Sequence, residues 1–545
     1  MAPHRVMVSG TIGLTKKMKP NWDFLLDASS LAPVLPTEYA HFARPIGDGL
    51  KVFLGGLPED EQVAILREQA KLPVTASISQ RLGLLAQSSP VLQKLGQVLA
   101  RDQRLSPVLR KYLCELESLP PAVPLETIKE ILAAELGPLD RRGITLIPPA
   151  IAEASVAVVI PFRQEVRGDG TQVTDGVFKV LKPGIKHQLE QELILLERVG
   201  EHLDSRCEEL GIPPLDYEEA FQQVRHKLVD EVQLENEQLH LLQAEKFFAD
   251  EPRVKIPVLL DHCTPRVTSM ERITGGKVTG HGLDRNRQKR RLAKLVAKAL
   301  IAKPVFSKSD EAMFHADPHA GNLFLTDDSC LAILDWSLVG RLGVRERVAI
   351  VQIILGAMTL DSSRIVAVLS QLAERQIVDQ AALTKVVEAR IKRVRRGHFP
   401  GLNWLVGLLD EAVQDARLRV SADLMLFRKS LHTLEGVVAE VGESTGQIDK
   451  TLSIEFLRHF AAEWPRRWVR LPNSRNFATR LSNLDLTHTL LSYPATVARF
   501  WTGHSLDILE ACVNRWEASL SSASDSSRED SAPTNLAPAS QGNQE

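Results

Sequence analysis

The sequence predicts an α+β protein with two lobes, one small and β-rich and the other mainly helical. Apolar residues recur with helical spacing from Glu61 to about residue 119. The β-branched runs ASVAVVIPF (154–162) and GVFKVL (176–181) follow, and RGDGTQ between them is typical of a hairpin turn. From Arg345 to about Ala518 the spacing is helical again. Helices, a small antiparallel sheet and more helices therefore follow one another along the chain.

These changes of pattern divide the chain into five predicted segments. PPAVP (120–124) interrupts the first helical region, because consecutive prolines cannot continue a helix. The last segment has almost no apolar residues and is expected to be disordered. The segments are an irregular N-terminal stretch (1–60), a helical extension (61–137), a β-rich lobe with inserted helices (138–275), a helical lobe (276–518) and a disordered tail (519–545).

The composition of the 545-residue chain excludes several classes of protein. Hydrophobic residues make up 44% and charged residues 25%, which is typical of a globular protein. The formal net charge of −2 argues against a nucleic-acid binder that relies on overall positive charge, so no nucleic acid is expected. The five cysteines form no CxxC pair, which indicates a reducing compartment. Because neither a signal peptide nor a membrane-spanning stretch is evident, we expect a cytoplasmic protein, at most peripheral to a membrane.

A polar segment stands between apolar flanks in MFHADPHAGNLFL (313–325). Asn322 follows Asp317 by five residues, and Asp335 ends the apolar run LAIL. Phosphoryl-transfer enzymes need one aspartate to orient or deprotonate the acceptor, and an asparagine and a second aspartate to hold divalent metal on the phosphates. The H-x-D-x-x-x-x-N spacing has this order, and hard oxygen ligands suit Mg²⁺. The alternative is a turn in which these side chains only satisfy the backbone.

A lysine on a strand is the predicted cation for nucleotide phosphates. Lys179 lies among apolar neighbours in GVFKVLKPG, which would fix its stem, whereas Lys182 at the strand end fits a solvated lysine. Glu231 and Glu237 are candidate partners. They lie six residues apart, about 240° around one helix, so they would face different partners.

No glycine-rich loop precedes Lys179 to cover the phosphates. At the corresponding place, between ITLIPP and the strand VAVVIPF, stands AIAEAS (150–155), a loop of small residues. Such a loop can approach phosphates through its backbone amides, although alanine restricts the backbone more than glycine does.

Together these features resemble the UbiB/ADCK (AarF-like) family of atypical protein-kinase-like proteins, over residues 85 to 345. The resemblance implies a bilobal protein-kinase-like fold with a helical N-terminal extension. In the family this extension carries a KxGQ motif, folds over the active site and disfavours protein substrates; here QKLGQVLARDQRLSP matches the motif at Lys94, Gly96 and Gln97. By the same resemblance Glu231 would pair with Lys94, and Glu237 with Lys179.

The resemblance also implies roles for the other motifs. AEAS resembles the family's alanine-rich loop. The nucleotide-binding residues implied are Ala152, Ala154, Ser155, Lys179 and Glu237; the catalytic residue is Asp317; the metal ligands are Asn322 and Asp335. The sequence departs from the family where Trp336 and Ser337 replace the usual Phe and Gly, where His319-Ala320 replaces His-Pro, and near Val158, where a glutamine is common.

We therefore predict a protein that binds ATP with Mg²⁺ and acts as an ATPase, or as a small-molecule or lipid-linked kinase, in isoprenoid-quinone (ubiquinone) metabolism. One alternative is a phosphotransferase of the aminoglycoside or choline kinase kind, which would not require Lys94 and Gln97. The other is a pseudokinase scaffold that binds ATP without turnover. The expected partners are the nucleotide and, at a membrane surface, anionic lipid or a quinone precursor; the oligomeric state stays open.

Three basic stretches lie outside this constellation. RNRQKRR (285–291) and RIKRVRRGH (390–398) are typical of solvated helix faces, with binding of anionic lipid as the alternative. WPRRWVRLP (464–472) interleaves tryptophan and arginine. Such a stretch stacks on single-stranded nucleic acid, docks at a lipid interface, or packs its tryptophans into the helical lobe.

Overall fold

The structure is a computed structural model of the chain, and it divides into two compact units. Unit 1 comprises residues 1–276 and 324–338, and unit 2 comprises residues 277–323 and 339–545. The predicted tail (519–545), Ala154 and most of the RGDGTQ turn lie outside the described residues. The structure describes residues 22–100, 105–116, 123–153, 155–166, 172–212, 225, 228–280, 286–373, 379–442 and 446–502.

Unit 1 contains most of the strands, among them the sheet that carries Lys179. Strands β1 (Ile144–Leu146), β3 (Ala157–Val166), β4 (Gln172–Leu181) and β6 (Val267–Glu271) follow one another in an antiparallel sheet, and β2 (Ala152–Glu153) pairs with β3. The predicted hairpin is confirmed, because β3 and β4 pair from Ala157↔Leu181 to Val166↔Gln172. The strands are β1 (Ile144–Leu146), β2 (Ala152–Glu153), β3 (Ala157–Val166), β4 (Gln172–Leu181), β5 (Val254–Lys255), β6 (Val267–Glu271), β7 (Gly275–Lys277), β8 (Glu311–His315), β9 (Leu323–Thr326), β10 (Leu331–Ile333) and β11 (Val339–Gly343).

One face of this sheet is apolar and buried. Phe162 and Phe178 stack with ring centroids 4.0 Å apart, in a core shared with the helix Leu125–Leu136. Because side chains alternate along a strand, Lys179 points away from the face that holds Phe178. The strand therefore fixes the lysine stem while its ammonium is free to meet other elements.

The helices of unit 1 surround a second apolar core, in which Ala43–Gly56 packs against Ile185–Ser205. Burial of this core drives the folding of the helical extension. The helices of unit 1 are Asp23–Leu26, Ala28–Leu31, Ala43–Gly56, Glu59–Lys71, Ile78–Gln87, Pro90–Leu99, Pro107–Glu115, Leu125–Leu136, Ile185–Ser205, Cys207–Leu210 and Leu234–Phe248.

The N-terminal stretch predicted to be irregular (1–60) is largely helical where the structure describes it. In the helix Ala43–Gly56, Pro45 stands in the first turn, where its missing N–H removes no helical hydrogen bond. Gly47 lies so close to the Leu26 carbonyl that a Cβ there would collide with it. Proline and glycine usually indicate a loop, and here they serve a tight helix contact instead.

Unit 2 is mainly helical, with the two-stranded antiparallel sheet of β8 and β11. The helical prediction from Arg345 onward is confirmed up to residue 502, apart from a non-helical stretch between Arg467 and Asn483. Among the described residues, no helix combines the length and the apolar character needed to cross a membrane. The helices of unit 2 are Asn286–Ala297, Lys303–Val305, Val344–Met358, Ser362–Leu372, Gln380–Arg395, Leu402–Asp415, Ala422–Gly442, Gln447–Arg467, Asn483–Leu491 and 493–502.

Candidate functional site

Lys179 lies between two carboxylates of unit 1. Its Nζ is 2.8 Å from Glu237 Oε1 and 3.3 Å from Asp335 Oδ1, and only 11% of its side chain is exposed. Burial lowers the pKa of Lys179, but the charges of Asp335 and Glu237 raise it by more, so the lysine keeps its proton. The predicted pairing of Lys179 with Glu237 is confirmed, and Asp335 joins the pair.

Glu237 supplies the buried side of this cluster, from the first turn of the helix Leu234–Phe248. The pKa of Glu237 is raised to about 7, mainly by burial; the charge of Lys179 lowers this pKa, and the charge of Asp335 raises it. Its Oε2 has no hydrogen-bond partner among the described residues. Two carboxylates thus share one lysine, and Glu237 Oε2 is available as a metal-ligand oxygen.

Asp335 follows β10 in a left-handed conformation, with φ of 54°. Aspartate tolerates this region better than most residues. The next residue, Trp336, is fully buried and donates from Nε1 to the Ile333 carbonyl at 3.0 Å. The Trp336 carbonyl accepts a hydrogen bond from His240 Nδ1 at 3.0 Å. The tryptophan that departs from the family pattern is therefore a core anchor for the Asp335 turn.

A second ion pair joins the helix Pro90–Leu99 to Glu231. Lys94 and Glu231 form a salt bridge with side chains 26% and 16% exposed, so this predicted pairing is also confirmed. Ser155 Oγ donates to Glu231 Oε2 at 3.5 Å. Glu231 thereby connects the KxGQ helix to the alanine-rich loop. The two glutamates face different partners because the chain leaves the helix near Gln233, rather than because of the angle along one continuous helix.

Gly96 and Gln97 contact the end of the neighbouring helix Pro107–Glu115. A Cβ on Gly96 would come within 2.6 Å of Leu116 Cδ1, so glycine permits the close approach. Gln97 Nε2 donates to the Leu116 carbonyl at 3.2 Å. Within unit 1 both residues therefore position the helix that carries Lys94.

The alanine-rich loop begins on β2, where Ala152 pairs with Val159 and Glu153 with Val158. Glu153 Oε1 is 2.7 Å from Lys182 Nζ, so the interpretation of Lys182 as a solvated lysine is wrong. The sequence could not show this contact, because it depends on how the loop folds back on β3. Lys182 and Glu153 therefore tie the loop to the end of β4.

In unit 2, Asn322 and Asp317 form one polar turn. Asn322 Nδ2 donates to the Asp317 carbonyl at 3.1 Å, and the Asp317 N–H donates to His315 Nδ1 at 3.2 Å. Buried His315 is held in turn by Ser430, whose Oγ donates to its carbonyl at 3.0 Å. Lys429 Nζ lies 3.9 Å from Asp317 Oδ1. Sequence reasoning missed Lys429, since it comes from a distant helix and matches no motif.

The residues around Lys179 fit a magnesium ion that arrives with a nucleotide. Among the described residues, no group of three or more His, Cys, Asp or Glu side chains could hold a metal ion alone. Mg²⁺ in phosphotransfer sites is usually bound by one or two protein carboxylates together with phosphates. The partly exposed Asp335 and the unpartnered Glu237 Oε2 are oxygen donors of this kind.

Glu192 supports the N-terminus of the KxGQ helix from a buried position. Its Oε2 accepts hydrogen bonds from Ser89 Oγ at 2.7 Å and from the Val91 N–H at 3.0 Å. Gln188 Nε2 donates to Oε1 at 3.0 Å. Burial raises the pKa of Glu192 from 4.5 to about 7, against the effect of these hydrogen bonds. Glu192 is therefore a pH-sensitive support of this helix.

The Glu192→Gln variant is expected to show a weaker pH dependence of stability. The folded wild type retains a proton that the unfolded chain releases above 4.5, so its free energy of unfolding falls as the pH rises toward and through 7. Between pH 6 and 8 this loss amounts to about 1 kcal/mol. Urea unfolding at both pH values measures it. The exposed Glu190→Gln is the matched control, and equal pH dependence in Glu192→Gln and wild type would contradict the assignment.

Comparisons with known proteins confirm the family resemblance and the kinase-like α+β fold that the sequence predicted. Residues 115–369 match the family model described as ABC1 atypical kinase-like domain. ACTIVITY OF BC1 COMPLEX KINASE 1, chloroplastic, of Arabidopsis thaliana is 27% identical over 384 residues, which cover 68% of this chain and 54% of that protein. Probable protein kinase UbiB of Marinobacter nauticus is 26% identical over 376 residues, which cover 65% of this chain and 64% of that protein.

The chain thus spans less than two thirds of the length of these two relatives. Among solved structures, the complex of Rv3197 with erythromycin from Mycobacterium tuberculosis has 17% sequence identity and a TM-score of 0.43. That match covers 71% of this chain and 95% of the other. A similarity at this level supports no conclusion about the site of this protein.

Proposed function

Because residues 115–369 match the model of the ABC1 atypical kinase-like domain, we propose that this protein binds ATP with Mg²⁺ and turns it over, as an ATPase or as a kinase of a small or lipid-linked acceptor. The observation that carries the proposal is the buried Lys179, held by Glu237 and Asp335. A lysine fixed in this way is a preorganised cation for phosphate oxygens, and preorganised charge is the main contribution a protein makes to phosphoryl transfer.

Each predicted residue has a proposed role. Lys179 would contact the phosphates and Glu237 would hold the lysine. Asp335 would bind the Mg²⁺, which neutralises phosphate charge when bound. For Asn322, the role of metal ligand rests on the family resemblance alone. Asp317 would orient or deprotonate the acceptor. Backbone amides of the loop that contains Ala152, Ala154 and Ser155 would approach the phosphates.

The KxGQ helix favours this proposal over a phosphotransferase of the aminoglycoside or choline kinase kind. Lys94 is bound to Glu231, and Glu231 in turn to Ser155 of the alanine-rich loop. An enzyme of the alternative kind would not require this contact between the KxGQ helix and the loop. As for the acceptor, the UbiB resemblance suggests a phenolic precursor of isoprenoid quinones, and a role in quinone metabolism is part of the proposal.

Thermal stabilisation and phosphate release measured with ATP and Mg²⁺ test the function. The melting temperature of wild type is expected to rise with ATP and Mg²⁺. Its phosphate release is expected to be faster when a quinone-precursor phenol is present. Asp317→Asn should keep the stabilisation and lose at least tenfold in phosphate release, since a positioned general base contributes roughly 10²- to 10⁴-fold.

Asp327→Asn, which changes an exposed aspartate in the turn after β9, is the matched control and should retain the wild-type rate. Stabilisation without phosphate release above the level of Asp317→Asn would identify a pseudokinase scaffold. No stabilisation by ATP and Mg²⁺ would overturn the proposal as a whole.

A further inference from the structure

A surface of unit 2 exposes large apolar side chains around the WPRRWVRLP stretch. We define the C-terminal patch by six residues that are between 51% and 83% exposed: Trp464, Trp468, Val469, Leu471, Leu484 and Leu491. The two indole rings lie edge to face with centroids 5.8 Å apart. The interpretation in which these tryptophans pack into the helical lobe is therefore wrong.

The members of the C-terminal patch belong to one continuous surface. The Leu484 N–H donates to the Pro472 carbonyl at 2.8 Å, and Asn483 Nδ2 donates to the Arg467 carbonyl at 2.8 Å. These bonds place the start of the helix Asn483–Leu491 beside the loop that follows Arg467. Leu484 and Leu491 are seven residues apart and so share one face of that helix.

A buried ion pair holds this surface in place. The Arg467 guanidinium donates to Glu463 Oε2 at 2.7 Å and to the Leu481 carbonyl at 3.0 Å. It also lies between the rings of Phe460 and Phe477, at 4.7 and 4.2 Å from their centroids. The apolar side chains of the C-terminal patch are thus exposed on a fixed scaffold.

The charge exposed around the C-terminal patch is positive. Residues 456–502 contain seven arginines, no lysine and two acidic residues. Both acids are buried, and each is paired with an arginine, Glu463 with Arg467 and Asp485 with Arg475. Arg466 and Arg470 remain exposed beside the tryptophans. Because the whole chain carries −2, this positive charge is a local feature.

We propose that the C-terminal patch docks on the surface of an anionic lipid bilayer. Tryptophan and leucine are suited to the boundary between headgroups and acyl chains, and arginine to the lipid phosphates. A symmetric contact with a second copy would bring two surfaces of the same positive charge together. Nucleic acid would leave the exposed Val469 and Leu471 without apolar contact. The inference does not depend on the proposed nucleotide chemistry.

Flotation of the full chain with vesicles tests this docking. We expect binding to vesicles of phosphatidylcholine mixed with phosphatidylglycerol, weaker binding at high salt, and little binding to phosphatidylcholine alone. Arg466→Gln with Arg470→Gln should reduce the partition coefficient at least tenfold, since each basic residue near the surface contributes about fivefold. Trp468→Ser with Leu471→Ser should reduce it by a similar factor.

Two control variants change exposed residues of unit 1. Val74→Ser changes a side chain that is 98% exposed, and Arg67→Gln with Arg198→Gln removes two exposed charges. Both should bind like wild type, and circular dichroism should show all variants folded.

Equal binding by patch and control variants, or no binding by wild type, would overturn the proposal. Sedimentation could also overturn it. The contrary result would be a chain that does not bind vesicles but self-associates, with the self-association lost in Trp468→Ser with Leu471→Ser. Binding of a single-stranded oligonucleotide in preference to anionic vesicles would also overturn it.

Discussion

Lys179→Met is expected to abolish the stabilisation by ATP and Mg²⁺ and to reduce phosphate release at least a hundredfold. Methionine keeps the apolar stem on β4 but removes the cation that lies between Glu237 and Asp335. The phosphates would then meet no positive charge between Glu237 and Asp335, so the attraction that binds them would be lost. Thermal shift and phosphate release, each with and without ATP and Mg²⁺, measure the effect.

The variant should also change how Glu237 titrates. Lys179 lowers the pKa of Glu237, so its removal raises that pKa further above about 7. The folded variant would hold a proton that the unfolded chain releases, and its free energy of unfolding would fall as the pH rises through the raised pKa. Unfolding in urea at pH 6 and 8 measures this loss.

Lys182→Met is the matched control for Lys179→Met. It removes a lysine three residues further along the chain, whose partner is Glu153 of the alanine-rich loop. We expect Lys182→Met to weaken nucleotide binding only moderately, through the loop. If ATP and Mg²⁺ raise the melting temperature of Lys179→Met as much as that of wild type, Lys179 does not bind the nucleotide.

Sequence reasoning predicted the fold well where periodicity and turn signals agreed. The β3–β4 hairpin and the helix Ile185–Ser205 follow directly from alternation and helical spacing. It failed at Ala43–Gly56, where glycines that suggested a loop permit close helix packing. Local composition does not reveal which distant backbone a glycine will approach, so this error was unavoidable from the sequence.

In the candidate site, too, some contacts could be predicted from motifs, whereas others depend on how the chain folds. The family resemblance implied the pairs Lys94–Glu231 and Lys179–Glu237, which the structure contains. The supporting contacts of His240, Glu192 and Lys429 carry no spacing signal, because their partners are distant in sequence. Such residues become visible only when the fold brings them to a carbonyl, a helix N-terminus or a carboxylate.

Lys94→Met is expected to lower the free energy of unfolding by about 2 kcal/mol, because it leaves Glu231 largely buried without its ion partner. Among the described residues, the hydrogen bond that remains to that carboxylate is the one from Ser155, at a long 3.5 Å. Urea unfolding measures the loss. Adding Glu231→Gln should recover part of it, and the double-mutant cycle gives the coupling between the two residues. Lys129→Met is the control, since its pair with Glu126 is exposed and should contribute less than about 1 kcal/mol.

The same variants decide whether the KxGQ helix serves the nucleotide site or only the stability of unit 1. Glu231 binds both Lys94 and Ser155, so loss of Lys94 should loosen the alanine-rich loop. If that loop approaches the phosphates, Lys94→Met will change the affinity for ATP with Mg²⁺ or the preference among nucleotides, at a temperature where the variant is fully folded. Unchanged affinity and preference in the folded variant would instead favour a phosphotransferase that does not use this motif. The stability loss and the nucleotide response are separate readouts, because the first depends on a buried charge and the second on the position of the loop.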